Sequence, residues 1–240
     1  MKRTKAYHNQ EFINSKDART LRILAEYLEP KARFEEHGLE DTIVFFGSAR
    51  TKPDSKYYEA ARQLAFRLTQ WSKGLESKER RFVVATGGGP GIMEAANRGA
   101  SEAKGLTAGI GISIPVEQTD NPYITRGLSF HFHYFFMRKF WFAYLAKAMI
   151  VFPGGFGTLD ELFEALTLVQ TKKMKKPMPI VLFGTEYWRE VVSFDALVRH
   201  GTISPRDVEL VHRTDSVDEA YEWVTAQLTA HALGRPGAML

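Results

Sequence analysis

Residues 83–100 read VVATGGGPGIMEAANRGA, and residues 148–171 read AMIVFPGGFGTLDELFEALTLVQT. Each is an apolar run, then a glycine turn, then a segment whose apolar residues recur at helical spacing. In the second, Leu159, Leu162, Phe163, Leu166 and Val169 mark the helix. Glycines let the backbone of such a turn approach a ligand closely, because no Cβ stands in the way. The helix N-terminus beyond it carries unpaired N–H groups and about half a positive charge, so it suits an anion. One such turn is a common structural connection. Two on one chain point to a phosphorylated ligand.

The same alternation continues outward. TIVFFGSAR (42–50) reads as a buried strand running into a Gly47–Ser48 turn, followed by a helix marked by Tyr57, Ala61, Leu64, Ala65, Leu68 and Trp71. RFVVATGGG and LTAGIGISI are the second and third strands, MIVFPGG and MPIVLFG the fourth and fifth. A last strand near DVELVHRT precedes a helix marked by Val217, Ala220, Tyr221, Val224 and Leu228. The segment YITRGLSFHFHYFFMRKFWFAYLAKA (123–148) is read as holding a long, nearly all-apolar helix. Near the N-terminus, ARTLRILAEYLEP (18–30) is read as a helix stopped by Pro30. TKKMKKP (171–177) is read as a solvated helix end. Strands apolar on both faces and alternating with helices predict an α/β protein with a Rossmann-like, doubly wound parallel sheet. A helical extension over residues 1–40 would precede a nucleotide-binding catalytic domain over 41–240. Ligands then belong at the carboxyl ends of the strands, near the point where strand order reverses.

Composition narrows the chemistry. The chain has no cysteine, which excludes disulfides, thiolate zinc sites and cysteine nucleophiles. Its histidines show no HExxH or comparable spacing, so no metal site is expected. The net charge of +4 is too mild to imply nucleic acid. No apolar signal core follows the polar N-terminus, and no stretch approaches the roughly 20 apolar residues of a membrane span. A cytoplasmic protein with no nucleic-acid or membrane partner is the expectation. Gly87 and Gly89 begin a GxGxxG pattern, but Ile92 holds the third position, and Ser113–Ile114–Pro115 supplies no acid at the next strand end. That disfavours NAD, and the absence of GKS or GKT disfavours an NTP hydrolase. A mononucleotide or similar phosphorylated ligand remains, with no cofactor.

Charged residues in apolar surroundings mark candidate chemistry. Arg138 falls on a helical stripe with His131, Tyr134, Trp141 and Leu145, while Lys139 shares a face with Phe132, Phe135 and Phe142. A buried guanidinium is costly unless it meets a carboxylate or a phosphate. A helix apolar on every side is expected in a core or a subunit interface, so a homodimer or larger homo-oligomer is expected. Pro90 suits the start of the first post-turn helix. Glu94 and Glu161 occupy the first turns after the two glycine turns, and Thr158 can cap the second helix. Two acids and an arginine around an anion site resemble the equipment for glycosidic cleavage. There a carboxylate activates water or stabilises an oxocarbenium-like transition state.

The combination of MRK (137–139) with PGGFGTLDE (153–161) resembles the LOG (Lonely Guy) family, whose signature is PGGxGTxxE preceded by an Arg–Lys pair. The resemblance covers roughly residues 42–200, and the nine-residue motif is highly specific. It implies a phosphoribohydrolase that splits cytokinin riboside 5′-monophosphates, or AMP and similar nucleotides, into free base and ribose 5-phosphate. It also implies that the family's older lysine decarboxylase label does not describe the chemistry. Carried over, catalysis falls on Arg138 and Glu161. Substrate contacts fall on Gly47, Ser48, Gly88, Gly89, Gly91, Glu94, Lys139, Pro153, Gly154, Gly155, Gly157 and Thr158. Shorter members read GGGxxGLMG where this chain has the tighter GGGPGIMEA, and they lack residues 1–40, so the chain looks more like a longer bacterial branch. Molybdenum-cofactor carriers are similar in fold and glycine loops, and a non-catalytic nucleotide or cofactor carrier is the alternative. A carrier needs the loops without the Arg138–Glu161 pair.

Overall fold

The apolar run Thr42–Phe46 forms β1 with every residue buried, as a strand covered on both faces must be. The computed structural model to which it belongs describes residues 4–77, 79–113 and 121–237. Two helices, α1 (Gln10–Asn14) and α2 (Arg19–Glu36), precede β1. After it come α3 (Lys56–Lys73), β2 (Val83–Thr86), α4 (Ile92–Glu102), β3 (Thr107–Ile112) and β4 (Ser129–Phe132). The chain continues through α5 (Phe135–Leu145), β5 (Ala146–Val151), α6 (Phe156–Gln170) and β6 (Ile180–Phe183). It closes with α7 (Thr185–Val191), α8 (Phe194–Arg199), β7 (Val211–Thr214) and α9 (Val217–His231). Among the described residues the strands form one sheet in the order β4-β3-β2-β1-β5-β6-β7, and every pairing is parallel. The doubly wound architecture read from the sequence is the one found.

Alternate residues of each strand face opposite layers. Ile43 and Phe45 pack with Leu64, Leu68, Ile92 and Val224 beneath α3, α4 and α9. Val44 and Phe46 pack with Trp141, Phe142, Leu162 and Trp188 beneath α5, α6 and α7, with Phe34 of α2 in the same layer. The order reverses between β1 and β5. There Phe152 N–H donates to Phe46 O (2.8 Å) and Ser48 N–H to Pro153 O (2.9 Å), so the two following loops leave from adjoining strand ends. Such a switch point opens a crevice. None of the helices described is long and apolar enough to cross a membrane.

Several local expectations are corrected. The long helix expected over 123–148 is a strand, a shorter helix and the start of another strand. His131 lies in β4 and Tyr134 is the residue before α5, so neither shares a helical stripe with Arg138. Within β4, Phe130 and Phe132 are buried while Ser129 and His131 are exposed, the period of two that an edge strand shows. Nor is α5 buried on every side, because Phe135 and Phe136 are 52% and 50% exposed.

Pro30 does not stop α2 but lies inside it. A proline leaves the carbonyl four residues back without its donor. That carbonyl, on Glu26, accepts instead from the Trp141 indole N–H at 3.0 Å. Pro90 sits just before α4, whose N-cap is Gly91. In TKKMKKP, Lys176 is buried rather than solvated and donates to the carbonyls of Ala143 (2.7 Å) and Tyr144 (2.8 Å). These are last-turn acceptors of α5, so a lysine closes that helix where no glycine or proline does. Burial, with Lys147 nearby, pushes the Lys176 ammonium down to about 7. The helices α7 and α8 had no reading from the sequence.

Helix α4 packs tightly against α3 at Gly99, where an added Cβ would lie 2.0 Å from the Arg62 carbonyl oxygen. Backbone cannot swing aside as a side-chain tip can. Gly99→Ala is therefore expected to cost about 1–3 kcal/mol despite the better helix propensity of alanine. Chemical denaturation would read this as a lower midpoint with an unchanged slope.

Candidate active site

The crevice at the switch point encloses a cavity of about 580 Å³. Its walls are the ends of β1 and β5, the first turn of α6, and side chains from α4, α5 and α7. Of the residues expected from sequence, it brings together Gly47, Ser48, Arg138, Gly154, Gly155, Gly157, Thr158 and Glu161. It does not bring Gly88, Gly89, Gly91, Glu94, Lys139 or Pro153 to the lining.

The two glycine turns have different jobs. At the second, Gly155 is the N-cap of α6, and the N–H groups of Thr158 and Leu159 both turn back to its carbonyl. The preceding N–H groups of the first turn have no intrahelical partner. A Cβ added at Gly155 or Gly157 would meet nothing within 4 Å, so that N-terminus is open to a ligand. Gly154 is different, since its Cβ would fall 2.1 Å from Thr158 Oγ1. The Tyr187 hydroxyl also holds the Gly154 carbonyl.

The first turn packs against the protein instead. Ile92 N–H, at the start of α4, donates to Ser48 O (3.1 Å), and a Cβ on Gly91 would approach that same oxygen to 2.3 Å. Gly91 has φ +68°, a conformation that favours glycine. The adjoining Gly87 clears space for Arg138, because a Cβ there would lie 2.7 Å from its Nη2. Glu94 is half-buried and accepts from the Tyr58 hydroxyl at 2.7 Å, which ties α4 to α3.

Arg138 and Glu161 both line the cavity. Arg138 Nε donates to Ile110 O at 2.9 Å, and no carboxylate among the described residues lies within 4 Å of its guanidinium. Among the described residues its terminal nitrogens have no carboxylate partner, which leaves them available to an anion. Burial holds its pKa below the usual value, opposed by the charges of Glu161 and Asp160. Lys139 is what contacts Glu161. Its Nζ stands 3.6 Å from Glu161 Oε2 and 2.8 Å from Asp160 Oδ2, and it also donates to Glu164. Burial alone would lower the Lys139 pKa, but those carboxylates leave it raised. Glu161 is 6% exposed, and burial pushes its carboxyl up to about 7 against the pull of Lys139 and Arg138. Sequence reasoning missed Arg50, Met93, Phe156 and Tyr187 in the lining. Arg50 comes shortly after the Gly47–Ser48 turn that ends β1 and Tyr187 lies in the first turn of the helix after β6, so position at a strand's carboxyl end was the available signal. Phe156, 92% exposed, is the variable residue of the PGGxGT pattern.

The chain matches the family described as "Possible lysine decarboxylase" over residues 93–224, more than half its length. It is 30% identical over 215 residues to the cytokinin riboside 5′-monophosphate phosphoribohydrolase LOG7 of Arabidopsis thaliana, covering 83% of this chain and 90% of that one. The chain belongs to the LOG family. A second LOG relative, "Probable cytokinin riboside 5′-monophosphate phosphoribohydrolase LOGL5" of Oryza sativa subsp. japonica, is 30% identical over 169 residues, covering 68% of this chain and 62% of its own. Among solved structures, a Moco carrier protein from Chlamydomonas reinhardtii shares the fold at a TM-score of 0.53 and 22% identity, over 79% of this chain and 99% of that one. The stretch PGGFGTLDE is here a physical object: Gly155 and Gly157 lie at the open N-terminus of α6, and its last residue is the buried Glu161.

The raised Glu161 pKa has a cost whose sign is fixed. Between about 4.5 and 7 the folded chain holds a proton that the unfolded chain has released, so stability from this group is full at low pH and lost as pH rises through that window. Glu161→Gln keeps the shape without the buried charge. Its melting temperature should match the wild type near pH 4.5 and exceed it increasingly up to pH 7, read by thermal scans across a pH series.

Proposed function

We propose that this chain hydrolyses the N-glycosidic bond of a nucleoside 5′-monophosphate, releasing free base and ribose 5-phosphate. The observation that carries the reading is Glu161. It is a buried carboxyl with a pKa near 7, one turn along from the open N-terminus of its own helix and in a cavity that Arg138 also lines. The 5′-phosphate would take the N–H groups at the start of α6 and the free terminal nitrogens of Arg138. Anchored there, the nucleotide presents its C1′ to the interior. Glu161 takes a proton from the attacking water, whose oxygen bonds to C1′ as the C1′–N bond breaks. The base keeps that electron pair and takes up a proton, so protons balance over the cycle. A carboxylate beside C1′ also stabilises the oxocarbenium character of the transition state. Lys139 holds Glu161 in place and keeps part of its charge compensated. An acid near neutrality is suited to accept and return a proton at cellular pH.

The relatives named for cytokinin riboside 5′-monophosphates support nucleotides of this class. The alternative is a carrier that binds a phosphorylated ligand at the same N-terminus without cleaving it, supported by the shared fold of the Moco carrier protein. Glu161→Gln separates the two. Hydrolysis predicts that base release falls by about 10²–10⁴ while AMP binding survives, since the loss of a general base is of that order. A panel of nucleoside monophosphates, assayed for free base, tests the wild type directly, and full turnover in Glu161→Gln would end this mechanism.

We further propose that a second copy of the chain closes the cavity mouth. Phe135 and Phe136 of α5 and Phe156 and Phe163 of α6 are exposed at 52%, 50%, 92% and 38%, on helices joined by the Lys139 ion pairs. Phe156 also lines the cavity, so this aromatic face runs up to the site. Light scattering at micromolar concentration should give at least twice the chain mass. A fully active monomer would refute the dimer.

A further inference from the structure

We propose that Glu26, on the N-terminal helix α2, is a positioning residue for Arg138, so that the extension preceding the sheet is part of the catalytic apparatus; this rests on the hydrolase reading. No motif marks Glu26. Its carboxylate nevertheless accepts two backbone N–H groups at the entrance to α5, from His133 at 2.7 Å and from Tyr134 at 3.1 Å. Tyr134 is the N-cap of α5 and its side chain makes no cap hydrogen bond, so the carboxylate that holds this end of the helix comes from α2. An anion there also meets the positive end of the helix.

The same residue grips α5 a second time. Pro30 removes the donor that the Glu26 carbonyl would otherwise have, and the Trp141 indole fills the place at 3.0 Å. The Tyr27 ring stacks on Trp141 with centroids 5.6 Å apart, beside this bond. One residue of α2 therefore holds α5 at 133–134 through its side chain and at 141 through its backbone. Arg138 lies between the two grips. Its own N–H bonds to Tyr134 O at 3.2 Å, one peptide unit from the Glu26 contact.

What this fixes is the axial and rotational setting of α5. Among the described residues the Arg138 side chain makes one hydrogen bond, to the Ile110 carbonyl, and lies over the Phe142 ring at 5.2 Å; its terminal nitrogens pass close to Gly87. A small shift of α5 moves the guanidinium away from the phosphate locus, or into the glycine loop. Misplacement of a catalytic group by about 1 Å can cost 10²-fold in rate. The N–H groups at the start of α6 belong to another element, so such a shift separates the two halves of the proposed phosphate site.

The test is a double-mutant cycle on the full chain with AMP. Glu26→Ala should keep its circular dichroism spectrum and lower kcat/KM at least tenfold, with KM rising because Arg138 is one of the two groups that hold the phosphate. Glu26→Gln, whose amide oxygen still accepts one of the two bonds, should recover most of the loss. It also carries the test should the alanine variant not fold. In an Arg138→Ala background, Glu26→Ala should add less than a twofold further loss, because a residue acting through Arg138 has nothing left to position. A kcat/KM within twofold of wild type in Glu26→Ala, or losses that multiply in the double variant, would overturn the proposal. A wild type that binds AMP without releasing base sinks the hydrolase reading alone. The cycle is then read on AMP affinity by calorimetry, with additivity again the refuting result. A wild type that neither cleaves nor binds AMP removes both.

Discussion

The structure turns on the seam between β1 and β5. These neighbours pair in register from Ile43 with Ala148 to Phe46 with Val151, and the ladder runs on through Phe152 and Ser48. Because the strand order grows leftward from β1 and rightward from β5, the chain segments leaving them must part. The gap they leave is the cavity. Ser48 is the pin of this arrangement, since its N–H goes to Pro153 and its carbonyl receives Ile92 N–H from the start of α4. Two backbone groups of one residue thus hold both glycine turns at a set distance.

Around that gap the electrostatics are asymmetric. On the α5 side stand two cations, one free at its tip and one saturated by three carboxylates. On the α6 side stand a helix N-terminus and the single acid that burial keeps near neutrality. On the proposed reading, a phosphate entering there would meet positive potential from both walls, with Glu161 placed to exchange a proton. The arrangement is unfavourable for folding and suited to chemistry, a common trade at active sites. The opposite end of the sheet shows the structural use of buried charge. Asp41 and Arg81 pair at 2.8 Å, with the remaining Arg81 nitrogens bonded to the carbonyls of Ala232 and Leu233.

Much of this was legible in the sequence, and the pattern of misses is instructive. The strands through Thr42, Val83, Thr107 and Ile180, and the anion-ready turn at Gly154–Gly157, followed from apolar runs and glycine chemistry that depend on near neighbours only. The segment 129–148 was misread because phenylalanines suit a strand and a buried helix alike. The alternation from Ser129 to Phe132 was the clue, at a period of two. Pro30 and Lys176 failed for a different reason. A proline inside a helix is tolerated where a distant indole takes the freed carbonyl, and a lysine is buried where a distant helix end needs donors. No local rule contains those partners. The same holds for the glycine loops: both looked ready for phosphate, and only the fold shows that Ser48 occupies the first. Arg138 and Glu161 were expected to act as a pair, whereas it is the neighbouring Lys139 that contacts Glu161.

The junction of α5 with β5 has a bearing on how such a chain can change over time. Helix ends at Leu145 and strand begins at Ala146, with no loop between them. Most connections between elements can absorb an inserted or deleted residue; this one has no slack. One residue added between Tyr134 and Leu145 would turn everything on its far side by about 100° and shift it by about 1.5 Å. The displacement would pass either into the buried β5 register or back into Arg138. Length variation among relatives is therefore expected to gather elsewhere, in surface connections such as that between β6 and β7, while the stretch from Tyr134 to Phe156 keeps a constant count. Alignments of this segment without gaps would reflect geometry as much as chemistry.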